Sequence, residues 1–111
     1  IISEKAEIKN NSTDVATEVT MKEFKKKSSG VELLGENDSD PSKEKKAARL
    51  NLTMNDQVVI PSLTENTKDE AIKTLNPSEK TSIGFSGNYF GDKKDDGRLN
   101  YNMLFKFNVK H

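Results

Sequence analysis

One run near the end of the chain, residues 99–109, alternates apolar and polar side chains almost without a break. The odd-numbered positions are large and mainly apolar, and the even-numbered positions are polar except at Leu104. The odd-numbered residues are Leu99, Tyr101, Met103, Phe105, Phe107 and Val109. Successive side chains of a β-strand point to opposite faces, so this period of two predicts a long strand with one buried face. Because Leu104 adds an apolar side chain to the other face, we expect that face to be partly covered too, which predicts a central strand of its sheet.

Shorter segments with the same period occur along the rest of the chain. They predict strands near residues 4–10, 15–21, 48–54 and 83–89, with a further extended path at 58–60. Phe24 falls out of phase with the second of these segments, which a β-bulge or the end of the strand would explain. Residues 25–46 are mainly polar and predict a long loop with at most one short strand. One helical turn from Ser42 to Arg49 is the alternative there, although it has no apolar stripe.

The composition limits the architecture that these strands can build. Hydrophobic residues make up 32% of the 111 residues and charged residues another 32%, so the chain has apolar material for one thin core. We therefore expect a single domain over residues 1–111. The predicted class is all-β: an antiparallel β-sandwich of six to eight strands, Ig-like or jelly-roll, with long polar loops.

Charge and residue usage argue against several classes of function. The 18 basic residues balance the 18 acidic ones, so no net field draws the chain to nucleic acid. Cysteine is absent and the single histidine is His111, which leaves no Cys-His pair, no Ser-His-Asp triad and no thiolate zinc site. A carboxylate pair of the glycosidase type remains open, but no two carboxylates stand out for it. No apolar run approaches the roughly 18 residues of a membrane-spanning helix. We expect a protein that is not an enzyme, with no nucleic-acid partner and no membrane span in this segment.

Two acidic loops carry the oxygen ligands that Ca²⁺ prefers. The first contains Glu36, Asp38 and Asp40, and the second contains Asp92, Asp95 and Asp96. Neither loop has the ligand order of an EF-hand, and the lysines at 93–94 balance the charge of the second loop. We therefore expect no cofactor, with a Ca²⁺ site at Asp92, Asp95 and Asp96 as the alternative.

The aromatic residues bear on sugar binding, because carbohydrate sites in β-sandwiches stack sugars on exposed aromatic faces. The chain has no tryptophan. Asn88, Tyr89 and Phe90 lie at the end of a predicted strand and are the candidate ligand-binding residues. Packing of the two rings at the rim of the core is the competing interpretation, and the aromatic residues of the 99–109 run follow its buried period.

Two parts of the chain resemble bacterial protein families. Residues 75–89, Leu-Asn-Pro-Ser-Glu-Lys-Thr-Ser-Ile-Gly-Phe-Ser-Gly-Asn-Tyr, resemble the late strand of cellulose-binding modules, in which a Pro-led turn precedes Gly-Phe-x-Gly. Those modules usually present a planar row of tryptophans, which this chain lacks. Residues 6–20 and the closing pattern at 83–109, with its Tyr-x-Met-x-Phe-x-Phe, look like β-sandwich domains of Gram-positive surface and biofilm-matrix proteins. The second resemblance implies a secreted or wall-associated structural module and transfers no catalytic residues.

Together these patterns predict a non-enzymatic structural or adhesive module of a secreted or cell-surface bacterial protein. A carbohydrate-binding module and a surface-fibre subunit that assembles by strand addition are the alternatives. We expect an extracellular location, either secreted or cell-wall associated. The expected partner is a cell-wall or extracellular polysaccharide or another surface protein. The sequence leaves open whether the chain forms an oligomer. Because the chain starts at Ile1 without a methionine, we also expect it to be a segment of a longer product.

Overall fold

The computed structural model describes residues 5–27, 30–92 and 100–110, and all the regular structure in them is β. The strands are β1 (Ala6–Lys9), β2 (Ala16–Lys27), β3 (Glu32–Leu33), β4 (Ala47–Met54), β5 (Gln57–Ile60), β6 (Lys68–Leu75), β7 (Lys80–Tyr89) and β8 (Asn100–Lys110). The predicted all-β class is confirmed. The helical turn considered at Ser42 to Arg49 is wrong, because β4 already begins at Ala47 and buries successive side chains on both faces.

The strands form two sheets with different centres. In the first sheet the order is β1-β7-β4-β3, and β5 pairs with β4 as well. In the second sheet the order is β6-β2-β8. The pairs are antiparallel except for β3 with β4, where Glu32 lies opposite Ala47 in a parallel register. β4 and β7 therefore lie inside the first sheet, and β2 lies at the centre of the second.

One hydrophobic cluster contains buried residues of both sheets. Its members are Val19, Met21 and Phe24 of β2, Leu50, Leu52 and Met54 of β4, Ile60, Leu63, Leu75 and Ile83. The alternation along β4 is the one its sequence predicts, since every second side chain from Leu50 to Met54 is at most 3% exposed. Full burial of one such side chain is worth about 1.5–3 kcal/mol. The two sheets thus share one core.

A β-bulge on β2 explains the change of phase at Phe24. The register between β2 and β8 shifts between Met21 and Glu23, so β2 carries one extra residue, Lys22. After this bulge Phe24 faces the core, where it is 2% exposed and stacks on Tyr101 with ring centroids 5.6 Å apart. The bulge is confirmed, and β2 continues to Lys27.

The last strand is an edge strand, so the prediction of a central strand is wrong. β8 pairs with β2 along its whole length, and no other strand of the described residues lies beside it. Leu104, whose position suggested a second covered face, is 56% exposed. Phe107 and Val109 are 51% and 54% exposed, because the core does not extend to that end of β8. The predicted start of the strand, Leu99, lies outside the described residues.

Candidate functional site

The three candidate ligand-binding residues lie together at the end of β7. Asn88 and Tyr89 pair with Arg49 and Ala48 of β4. Phe90 continues the pairing, because its N–H donates to the carbonyl of Ala47 at 2.9 Å. Asn88 is exposed, but Tyr89 and Phe90 are half-buried. Half-buried rings present less free surface for a sugar than exposed rings do.

Tyr89 also folds back over the chain that follows it. A Cβ atom placed on Gly91 would lie 2.2 Å from the Tyr89 hydroxyl and 2.4 Å from Cζ. The end of the Tyr89 ring therefore lies over the backbone of residue 91, in the space that a side chain at that position would take. Asn88, Tyr89 and Phe90 therefore lie together at the end of β7, and part of the surface of the Tyr89 ring is used in this local packing.

Only part of the predicted Ca²⁺ loop is described. Asp92 is exposed, and Asp95 and Asp96 lie outside the described residues. Within the described ranges, no group of three or more aspartate, glutamate, histidine or cysteine side chains is placed to hold a metal ion. The Ca²⁺ alternative at this loop stays a prediction.

The carboxylates of the first acidic loop stabilise the loop itself. Asp38 accepts a hydrogen bond from the backbone N–H of Gly35 at 2.7 Å. Asp40 accepts two from the Arg49 guanidinium, at 3.0 and 3.3 Å. The same guanidinium donates to the carbonyls of Gly35 and Asp38, both at 2.8 Å, and to the hydroxyl of Ser62 at 3.1 Å. Arg49 thus links residues 35–40 to β4 through hydrogen bonds. The sequence pattern did not indicate this role, because the partners of Arg49 are 9–14 residues away.

A groove of about 470 Å³ lies between this loop and residues 59–70. Of its twelve lining residues, only Val59, Ile60 and Pro61 are apolar side chains. Small-molecule sites are mainly apolar with a few convergent polar groups. The lining of this groove is instead mainly polar. Its residues come from separate polar segments, so no sequence pattern marks them as one site.

A further candidate surface is the outer edge of β8, beside which no other strand of the described residues lies. We define the β8 edge as residues 100–110 on the side away from β2. Phe107, Val109 and Leu104 are three of the four large hydrophobic side chains that are more than half exposed in the described structure. An edge strand pairs with another strand through its unpaired N–H groups, which donate, and its C=O groups, which accept. Exposed alternate side chains give such pairing its specificity. The alternation of the 99–109 run predicts the strand and face of these residues correctly, but its prediction that Phe107 and Val109 are buried is wrong.

The N-terminal half of β8 is anchored by aromatic packing. Tyr101 stacks on Phe24 and meets Phe85 edge to face, with centroids 4.6 Å apart. Burial raises the pKa of the Tyr101 hydroxyl above its ordinary value. This half of the strand is therefore held by the core, whereas the half that carries Phe107 and Val109 is held by pairing with β2.

The outer face of the second sheet carries lysines that are paired with carboxylates. Lys110 of β8 lies 3.3 Å from Glu18 of β2, and Lys22 lies 2.6 Å from Asp69 of β6. The hydrogen bond from Lys22, followed by its charge, lowers the pKa of Asp69, and the positive charges of Lys68 and Lys106 act in the same direction. Each of these two lysines therefore has a carboxylate partner on the neighbouring strand.

These features define an all-β protein with two sheets on one core and, among the residues that the structure describes, a long strand edge that no other strand pairs with. Comparison with family models, with curated proteins and with solved structures finds no match. In the part of the chain that the structure describes, no helix has the length and apolar character needed to cross a membrane.

Proposed function

We propose that this chain is a non-enzymatic structural or adhesive module of a secreted or cell-surface bacterial protein. We further propose that its two sheets pack as a β-sandwich of Ig-like or jelly-roll topology. The observation that supports a structural role is the elongated shape, with extents of 52 × 23 × 23 Å. The radius of gyration is 15.5 Å, against about 13 Å for a compact domain of this length.

The long dimension follows from the strands. β2, β7 and β8 have 12, 10 and 11 residues, and a strand advances about 3.3 Å per residue. Each of them is therefore roughly 33–40 Å long. Such a body spans distance with few residues, which suits a stalk, spacer or scaffold unit.

Fractionation of the producing bacterium tests the proposed location. We expect the native protein in the medium or the cell-wall fraction, and we expect protease added to intact cells to digest it. A cytosolic enzyme followed in the same samples is the control and should stay protected. Recovery of the protein in the protected cytosolic fraction would contradict the proposal.

A second candidate function, assembly with a neighbouring chain by strand addition, is favoured by the β8 edge. Phe107→Lys places a charge on this edge, and Val58→Lys is its matched control because Val58 is equally exposed, at 51%, on β5 of the other sheet. We expect Phe107→Lys to reduce incorporation of the protein into its cell-surface assembly and Val58→Lys to leave incorporation unchanged. Equal incorporation of the two variants would exclude the β8 edge from assembly.

The carbohydrate-binding alternative has weaker support, since Tyr89 and Phe90 are half-buried. It stays a prediction that affinity electrophoresis in gels containing cell-wall polysaccharide can test. If the module binds such a glycan at this place, migration of the wild-type protein is retarded and Tyr89→Ala removes the retardation.

A further inference from the structure

The strand edges of the two sheets differ in how well they are protected against pairing with another strand. Natural proteins keep edge strands short, charged or bulged. β3 has two residues, and β1 and β5 have four each. β6 has eight, but four of them are charged and its register with β2 is interrupted by a shift. Each of these edges has at least one of the usual protections.

β8 has less of this protection: its only charged residues are Lys106 and Lys110. It contains eleven residues with no proline and no acidic side chain. The bulge between β2 and β8 lies on β2, so β8 itself is regular. At about 3.3 Å per residue, it presents an edge roughly 36 Å long. Phe107 and Val109 lie beside this edge, more than half exposed.

We infer that the β8 edge pairs with the β8 edge of a second copy of this chain, antiparallel and centred on Phe105. This inference rests on the strand addition proposed above and names its partner and register. The two three-stranded sheets then join into one six-stranded sheet across a two-fold axis. Because the same edge is used by both copies, the assembly closes as a dimer and does not continue into a fibre.

The side chains on the core-facing side of β8 fit this register. Centring on Phe105 lets all eleven residues of each strand pair, which is the longest overlap that two copies can make. Phe105 then lies opposite its own copy, Met103 opposite Phe107, and Tyr101 opposite Val109. Met103, Phe105 and Tyr101 already pack against the core. The exposed Phe107 and Val109 of each copy thereby lie next to core-packed side chains of the other.

The charges on the outer face select the antiparallel arrangement. β8 carries only Lys106 and Lys110 as charged residues. In the antiparallel register Lys106 lies opposite Leu104, whose exposed side chain packs on the lysine stem, and Lys110 lies opposite position 100. A parallel pair in register would place every lysine beside its own copy, and like charges beside each other destabilise strand pairs. An antiparallel pair centred on Lys106 would also place the two copies of Lys106 opposite each other.

Sedimentation equilibrium of the purified chain tests for the dimer. We expect the average mass to rise twofold from 12.4 kDa as the concentration increases, over a range of about 1 µM to 1 mM for an interface of this modest size. Phe107→Lys should stay monomeric at every concentration, while the equally exposed Val58→Lys should behave as the wild type. Circular dichroism of both variants checks that the strands remain folded.

Cross-linking tests the register without depending on a disruptive variant. The chain has no cysteine, so Asn102→Cys and Asn108→Cys each introduce a single thiol at an exposed position of β8. In the inferred register position 102 lies opposite position 108 of the other copy, whereas the two copies of position 102 are about 20 Å apart. We expect disulfide-linked dimers when the two variants are mixed and oxidised, and none from either variant alone.

Three results would overturn the inference: monomers at all concentrations, cross-links within a single variant, or a ladder of species larger than the dimer. The first would leave the structural role and the cell-surface location standing, since those depend on fractionation. A cytosolic location would in turn leave the dimer standing. The inferred dimer and the proposed cell-surface role therefore fail independently. A monomer in solution whose Phe107→Lys variant still loses incorporation would exclude the second copy as the partner and leave strand addition to a different chain standing.

Discussion

Asn10 joins two turns that are far apart in the sequence. Its amide nitrogen donates to the carbonyls of Val15 at 2.8 Å and of Leu75 and Asn76 at 3.2 Å. Its amide oxygen accepts from the N–H of Ser12 at 3.0 Å, and the residue is 7% exposed. The turn between β1 and β2 is thereby fixed against the turn between β6 and β7.

Asn10→Ala should lower the free energy of unfolding by about 1–3 kcal/mol, because three carbonyls and one N–H lose a buried partner. Asn11→Ala is the matched control, since Asn11 is the next residue and is exposed; it should change stability by less than about 0.5 kcal/mol. Urea denaturation of the three proteins measures both values. Equal midpoints for the two variants would show that the Asn10 side chain does not connect the turns.

Tyr101 should make stability sensitive to alkaline pH. Burial raises the pKa of its hydroxyl in the folded state, so folding favours the neutral phenol. Its contribution is complete below the pKa of the unfolded chain, about 10, and is lost as the pH rises through the higher pKa of the folded state. Tyr101→Phe keeps the ring against Phe24 and Phe85 and removes the ionisable group.

Urea denaturation of wild type and Tyr101→Phe between about pH 8 and pH 11 checks this prediction. The wild type should lose stability relative to the variant above about pH 10, while lysine ionisation affects both proteins equally. Parallel pH profiles would mean that Tyr101 ionises as readily in the folded state as in the unfolded chain.

At the scale of the elements, Gly87 sets the distance between β4 and β7. It lies opposite Leu50 with φ at 144°, and a Cβ atom there would be 1.9 Å from the carbonyl oxygen of Arg49. Gly87→Ala must therefore push the two central strands of the first sheet apart, and we expect a loss of about 3 kcal/mol or more. Gly30→Ala is the control, because no atom lies within 4 Å of the position of its Cβ. Thermal unfolding of both variants distinguishes them, and equal melting temperatures would refute the close approach.

The strands that alternate clearly in sequence were the easiest to predict. β4, β7 and β8 were predicted to within a few residues because a period of two reports which side chains share a face. The β2 bulge was also detectable, since it moves Phe24 out of phase. β6 was not predicted, because its first three residues, Lys68 to Glu70, are all charged and exposed and show no alternation.

The sequence of β8 could not show that it is an edge strand. Alternation reports the two faces of a strand but not its neighbours in the sheet, nor how far the opposing layer extends over it. Phe107 therefore has the same local pattern as Phe105, although it is 51% exposed and Phe105 packs against the core. The Arg49 contacts were equally hidden, because they depend on the path of the loop from residue 35 to residue 40.

At the scale of the whole molecule, the shared core predicts that the two sheets unfold together. Leu52 of the first sheet is fully buried, as are Val19 and Met21 of the second, and all three belong to one cluster. Leu52→Ala should lower the free energy of unfolding by about 2–5 kcal/mol. If the cluster is cooperative, Leu52→Ala should lower the free energy of opening at the most protected amides of β2 by the same amount as at those of β7, as native-state hydrogen exchange measures it.

Val58→Ala, at an exposed position of β5, is the control and should leave both sheets unchanged. Faster exchange confined to β4, β7 and their neighbours would instead mean that the second sheet remains folded when the first one opens, and that residues 1–111 do not behave as one domain.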